Sequence, residues 1–258
     1  MKAAENLTAR TFANCRGAIG IMAKSPSAGN VKTRLTPPLT PMEASLLSGC
    51  FLRDTAGNID SLEADGVVVY TPAEEGDAFA GLVPNSFQFL AQRGGSLGDR
   101  LLNATSDLLA VGYDFVCLIN SDSPTLPLSI LVSAIEALEP DGDRLVLGPA
   151  EDGGYYLIGL KSPHQILFDR IAWSTSEVLA HTIERARQIS LPIVKLPKWY
   201  DVDDAATLER LCRELFVPDE CSGNGHPPYA APFTREYLAT LMRENDAQRI
   251  WLRSEPQI

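Results

Sequence analysis

The sequence predicts an α/β fold, a mainly parallel sheet with helices on both faces, and three observations carry that expectation. Apolar runs of strand length alternate with helical patterns along the chain. Several of these runs are continuously apolar rather than alternating, as in strands covered on both faces. Helix starts, finally, can be read from capping residues.

In chain order, strands are expected at Ala18–Met22, Val67–Tyr70, Phe87–Ala91, Phe115–Asn120, Leu145–Gly148, Tyr155–Leu160 and Ile193–Leu196. Thr40-Pro41-Met42-Glu43 announces the first helix with a cap, a proline at the first helical position and a glutamate three residues after the cap. Leu97 to Leu109 reads as a helix from Leu97, Leu101, Leu102, Leu108 and Leu109. Ser174-Thr175-Ser176-Glu177 has capping-box spacing ahead of a helix over Val178 to Gln188. Ala205 to Phe216 places Leu208, Leu211, Leu215 and Phe216 on one side of another helix. Beyond Val217, Pro218, Gly223, Gly225, Pro227, Pro228 and Pro232 mark an irregular stretch, after which Thr234 is expected to cap a last helix running to about Leu252. Residues 1–16 read as a tail, 17–216 as the main domain and 217–258 as an appendage. Leu238, Leu241, Met242, Ile250 and Trp251 give that appendage an apolar face, to be packed on the main domain or on a second copy in a homodimer.

At 258 residues the chain can bury one sizeable core, and 45% hydrophobic with 21% charged residues is ordinary globular composition. A net charge of -11 argues against nucleic acid or an anionic membrane as partner, because both call for a basic face. No uncharged apolar stretch approaches the ~20 residues of a membrane helix, and the first fifteen residues lack the apolar core of a signal peptide. Cys15, Cys50, Cys117, Cys212 and Cys221 form no C-x-x-C pair and no zinc spacing. Reduced thiols in a cytoplasmic protein are the expectation.

Against this acidic background the stretch between Arg16 and Glu43 contains no acid, yet it carries Lys24, Lys32 and Arg34. They sit in a loop, Ala23-Lys-Ser-Pro-Ser-Ala-Gly29-Asn-Val-Lys-Thr-Arg-Leu35, that follows the first strand. Fixed cations and backbone N–H groups at a glycine turn both converge on phosphate oxygens, so Ala23, Lys24, Gly29, Lys32 and Arg34 are candidate phosphate-binding residues. The alternative is a solvated basic turn. Lys32-Thr33 does not make a nucleotide P-loop, because Gly29 stands three positions before the lysine and not next to it.

Ligands of open α/β sheets gather beyond the carboxyl ends of the strands, and acids stand at three such ends. Asp122 follows Phe115–Asn120 within Ser121-Asp122-Ser123-Pro124, Asp152 follows Leu145–Gly148 ahead of Gly153 and Gly154, and Asp203 and Asp204 follow Ile193–Leu196. Carboxylates converging beside a phosphate loop suit a hard divalent cation, magnesium or manganese, which takes one or two carboxylates together with phosphate oxygens and water. Each acid also has a plainer role open to it. One of Asp203 and Asp204 is expected to cap the Ala205 helix, and Asp152 before two glycines could be a turn acid. Gly153 and Gly154 would let a sugar or base approach the backbone closely. His164, His181 and His226 fall in no nucleophile or metal pattern.

Four strings together resemble one family. They are Lys24-Ser-Pro-x-x-Gly29-x-x-Lys32-Thr33-Arg34-Leu35, Ser96-Leu97-Gly98-Asp99-Arg100-Leu101, Ser121-Asp122-Ser123-Pro124-Thr125-Leu126-Pro127, and Gly148 through Leu160 with its Glu151-Asp152-Gly153-Gly154 core. Over residues 17–216 the chain is similar to a bacterial group of GT-A-fold proteins often labelled glycosyltransferase and sometimes associated with arsenosugar biosynthesis. More distantly it is similar to 2-phospholactate guanylyltransferase and the molybdenum-cofactor nucleotidyltransferases. The resemblance implies a GT-A (nucleotide-diphospho-sugar transferase-like) three-layer sandwich. It implies a metal on Asp122, where GT-A enzymes keep the aspartate of their Asp-x-Asp-type motif, and on Asp203, where related nucleotidyltransferases keep a second ligand. Lys24, Lys32 and Arg34 match the basic signature loop, which here departs from the Gly-x-Gly-Thr-Arg form of sugar nucleotidyltransferases.

Three functions follow as alternatives. In nucleotidyl transfer to a phosphorylated small acceptor, Lys24, Lys32 and Arg34 hold the leaving phosphates beside a metal on Asp122 and Asp203. In glycosyl transfer from a nucleotide sugar, Asp152 orients the acceptor or the sugar hydroxyls. The third is a nucleotide-binding module without catalysis. Three cations on one short loop favour a triphosphate, and hence nucleotidyl transfer.

Overall fold

The structure, a computed structural model, describes residues 17–217, 225–244 and 247–250. Seven strands form one sheet: β1 (Gly17–Lys24), β2 (Asp65–Thr71), β3 (Gln88–Ala91), β4 (Phe115–Asn120), β5 (Leu145–Pro149), β6 (Tyr155–Leu160) and β7 (Ile193–Lys195). Their order is β3-β2-β1-β4-β6-β5-β7, and β6 alone runs antiparallel, against both β4 and β5. Each expected strand is present, with ends shifted by at most two residues.

Alternation along a strand sends successive side chains to opposite faces, and the two faces are covered separately. From β1 and β4, Ile19, Ile21, Phe115, Cys117 and Ile119 join one core with residues of α1 (Pro41–Ile59), α3 (Leu128–Leu138), α5 (Ala205–Phe216) and α6 (Pro232–Glu244). Ala18, Val116 and Leu118 join the other core, against α2 (Leu97–Ala110) and α4 (Val178–Gln188). Helix, sheet and helix layers make the expected three-layer sandwich.

Local sequence decides the starts of α1, α2 and α5. At α1, Thr40 accepts from the Glu43 amide while Glu43 accepts from the Thr40 amide, a reciprocal capping box with Pro41 behind it. Ser96 and Asp99 make the same box at α2, which gives the Ser96–Leu101 string a structural task. Gly98 in that string lies under Trp173: a Cβ there would come within 2.9 Å of the indole.

Two expected caps are corrected. The Ser174–Glu177 string does not form a capping box. Ser174 turns the chain at φ 63, and Thr175 Oγ1 donates to the Ala172 carbonyl, so α4 starts at Val178, behind a cap position, Glu177, that makes no side-chain capping bond. Thr234 does not cap the last helix either, because it is already the third residue of α6, which begins at Pro232. The capping side chain comes from α1: buried Asp54 accepts from the amides of Phe233 (3.0 Å) and Thr234 (2.7 Å). α6 thereby sits on α1, with Leu238 and Leu241 in the core beside Phe51. The short helix α7 (Ala247–Ile250) follows, and Arg249 pairs with Glu43 at 2.8 Å. The part of the expected irregular stretch that holds Pro218 and Gly223, the apolar side chain of Trp251 and the expected helix end at about Leu252 lie outside the described residues. Among the described residues no helix is long and apolar enough to cross a membrane.

Candidate active site at the carboxyl edge of the sheet

Strands β1 and β4 lie side by side and parallel, so the segments leaving their carboxyl ends open at the same edge. The loop after β1 closes on itself: Gly29 turns at φ 81, and Lys24 Nζ donates to the Asn30 carbonyl at 2.8 Å. After β4, Asn120 Oδ1 accepts from the Asp122 amide at 3.2 Å. The segment ahead of α5 is tied to that turn at several points. Val202 N–H donates to the Asp122 carbonyl at 2.9 Å, and Ser123 Oγ donates to the Tyr200 carbonyl at 3.0 Å. These bonds bring Asp122 and Asp203 together although they lie far apart in sequence.

Between the two acids sits Lys32. Its ammonium is 2.8 Å from Asp122 Oδ1, 2.9 Å from Asp203 Oδ1 and 2.7 Å from the Val202 carbonyl. The lysine side chain is 7% exposed, against 36% for Asp122 and 42% for Asp203, so the ammonium is buried and the carboxylates face outward. Burial by itself would lower the Lys32 pKa, but the charges and hydrogen bonds of Asp122 and Asp203 outweigh it and hold the group above the ordinary lysine value.

A cleft of about 330 Å³ opens in front of this cluster. Ala23, Lys24, Lys32, Thr33, Arg34, Ser121, Asp122 and Asp203 all line it, with Ser48 and Leu52 of α1 closing one side. The three loop cations and the two acids thus share one opening. Gly29 shapes the loop without lining the cleft.

Asp152, Gly153 and Gly154 do not line it. Asp152 Oδ1 accepts from the Gly154 amide at 2.8 Å, which is the turn role. Gly153 has φ 93, and a Cβ there would meet the Ser176 backbone at 2.2 Å. Its lack of a side chain is used by the chain itself, where the turn packs on the segment before α4. Asp204 takes the cap of α5, accepting from the Thr207 amide at 2.9 Å, and so leaves Asp203 for the cleft.

Asp201 is the residue that sequence reasoning passed over. It lies behind the two outward acids and accepts at Oδ1 from Asn120 Nδ2 (2.6 Å) and Ser123 Oγ (2.7 Å). Burial is the main force pushing its carboxyl up to about 6; the two hydrogen bonds oppose that rise, and Asp122 and Asp203 add to it. The signal available was its place in the same string as Asp203, but a buried acceptor and a solvated turn acid look alike in one sequence.

The donor set fits a hard divalent cation. Asp122 and Asp203 already converge on a single positive charge, and phosphate oxygens with water could complete the shell. Among the described residues no group of three or more acid, histidine or cysteine side chains could hold a metal by itself. Nucleotide phosphates would have to share the ion.

The fold defines a class, proteins of GT-A (nucleotide-diphospho-sugar transferase-like) architecture. The chain belongs to the family of a Desulfovibrio desulfuricans G20 protein described as a "putative nucleotide-diphospho-sugar transferase", with which it shares 31% identity over 93% of its own length and 100% of that chain, at a TM-score of 0.77. The family described as "Uncharacterized protein conserved in bacteria (DUF2064)" matches residues 58–175, a stretch that includes Asp122 but neither the cation loop nor Asp203. A cytidylyltransferase from Leptospira borgpetersenii serovar Hardjo-bovis (strain JB197) shares the fold at a TM-score of 0.51, with 14% identity over 93% of this chain and 99% of that one. No curated protein matches the sequence.

Proposed function

We propose that the protein is a metal-dependent transferase acting on a nucleotide, and that it transfers a nucleotidyl group to a phosphorylated small acceptor. One observation carries this reading: Lys24, Lys32 and Arg34 line the same cleft as Asp122 and Asp203. An acceptor phosphate oxygen would attack the α-phosphorus of a nucleoside triphosphate, and the bond from that phosphorus to the β-phosphate oxygen would break, with pyrophosphate taking the electron pair. Lys24 and Arg34, both exposed at the mouth, would bind the β- and γ-phosphates and neutralise the charge that grows on the leaving group. The role of the chain is to position and to neutralise, so no covalent intermediate on a side chain is needed. A magnesium or manganese ion held by Asp122 and Asp203 would add Lewis-acid neutralisation of the phosphate oxygens.

Glycosyl transfer from a nucleotide sugar is the second reading, favoured by the description of the Desulfovibrio relative. The two differ in product. Each nucleoside triphosphate is incubated with magnesium and a pool of phosphorylated acceptors, and each nucleotide sugar with a pool of hydroxyl acceptors. Release of pyrophosphate from the first set supports nucleotidyl transfer. Release of nucleoside diphosphate from the second, with no pyrophosphate from the first, gives the site to glycosyl transfer.

A further inference from the structure

We propose that Lys32 is a built-in counter-ion for the cation site: its ammonium occupies the place between Asp122 and Asp203 until a divalent ion exchanges it out toward the phosphates. The proposal rests on the reading of the cleft as a metal-dependent phosphate site, and adds to it how the metal is admitted.

Geometry is the first ground. Three oxygens, from Asp122, Asp203 and the Val202 carbonyl, meet at one cationic atom at 2.7 to 2.9 Å, an all-oxygen cradle around a single charge. A divalent ion on the same carboxylates would stand within a few ångströms of that ammonium, where repulsion in a poorly solvated site is strong. The two cations compete for the same two carboxylates, and the ion of higher charge moves the ammonium out.

The second ground is the loop. Lys32 adopts φ 48 and ψ 38, the left-handed region, immediately before the 3-10 turn Thr33–Leu35. Backbone held in that region by a residue with a side chain persists where the surroundings over-determine it, and such residues gather at binding sites. The lysine stem is flexible and its ammonium has three donors, so a change of partner needs no movement of the sheet. Lys24 and Arg34 mark where the displaced ammonium would find anionic company, because all three cations line one opening.

Exchange makes metal and phosphate binding interdependent. Metal alone must strip Lys32 of both acids and give it nothing in return. With a triphosphate present the ammonium moves from carboxylates to phosphates, so each ligand should raise the affinity for the other by the same factor.

The test is binding of Mn2+ to full-length protein, read by water-proton relaxation. Wild type should bind Mn2+ alone weakly. Lys32→Met should bind it about tenfold more tightly or better, since a competing charge is gone, and adding Asp122→Asn to Lys32→Met should abolish the gain. Circular dichroism and a cooperative melt establish that each variant is folded. If Lys32→Met does not fold, Lys32→Gln carries the same comparison, with a neutral amide that still donates to the acids. Equal Mn2+ affinity in wild type and variant overturns the exchange. So does a gain that survives Asp122→Asn, because the ion is then elsewhere. If neither protein binds Mn2+ alone but wild type binds it with a nucleoside triphosphate, the exchange fails and the metal-dependent reading stands. Failure to bind Mn2+ with or without triphosphates sinks both.

Discussion

Asp201 and Asp122 occupy neighbouring places, one hydrogen-bonded behind the other and one facing the cleft. Asp201 is drawn into the protein and its folded-state pKa is raised to about 6, above the ordinary aspartate value. Between those two pH values the folded protein binds more protons than the unfolded chain, so this group's contribution to stability falls as pH rises from about 4 to about 6. Asp201→Asn keeps an oxygen to accept from Asn120 and Ser123 and has no such titration. Relative to wild type, the variant should gain about 1–2 kcal/mol between pH 4.5 and pH 7, a figure reduced for residual solvent screening. Urea unfolding at the two pH values measures it, and a constant difference between the proteins would refute the assignment. Asp122 remains partly open to the cleft. Asp122→Asn leaves the buried Lys32 ammonium with Asp203 as its one carboxylate, so it should cost about 1–3 kcal/mol, and it should abolish the thermal shift that magnesium with a nucleoside triphosphate gives wild type. A variant that binds magnesium–nucleotide as tightly as wild type would remove Asp122 from the metal site.

At the scale of elements, α6 depends on a side chain that belongs to another helix. Asp54 meets two first-turn amides that would otherwise be buried without partners. Asp54→Ala should cost about 2 kcal/mol and open α6 to proteolysis before the sheet unfolds, which limited digestion followed by mass spectrometry would show; digestion beginning within the sheet would contradict this. The same case shows what a single sequence makes legible. The starts of α1 and α5 were readable because Thr40, Glu43 and the Asp203–Asp204 pair lie within a few residues of the helices they cap. α3 escaped notice because it starts behind Pro127 with no capping bond, and the cap of α6 lies about 180 residues away. The site divides along the same line. The cation loop and Asp122 announce themselves as contiguous strings at strand ends. The engagement of Lys32 with Asp203, 171 residues apart, exists only once β1 and the segment before α5 have been brought together. Asp152 and Gly153 misled because a turn that serves packing uses the same residue types as a turn that serves a ligand.

For the whole molecule, α6 belongs to the core that covers one face of the sheet. A chain ending near Phe216 would uncover the seat of Leu238 and Leu241 on α1. That truncation should be less stable than the full chain and should self-associate in light scattering; equal stability and equal particle mass would show that the seat on α1 does not need its cover. The lateral borders of the sheet point the other way. It ends at β3, four residues long, and at β7, three residues long. Borders this short leave few unpaired backbone groups on which a neighbouring molecule could add a strand. Growth of the sheet from one molecule into the next is therefore discouraged at both flanks, and two copies of this chain that do meet should do so through side chains on their helical layers, each keeping its own seven strands.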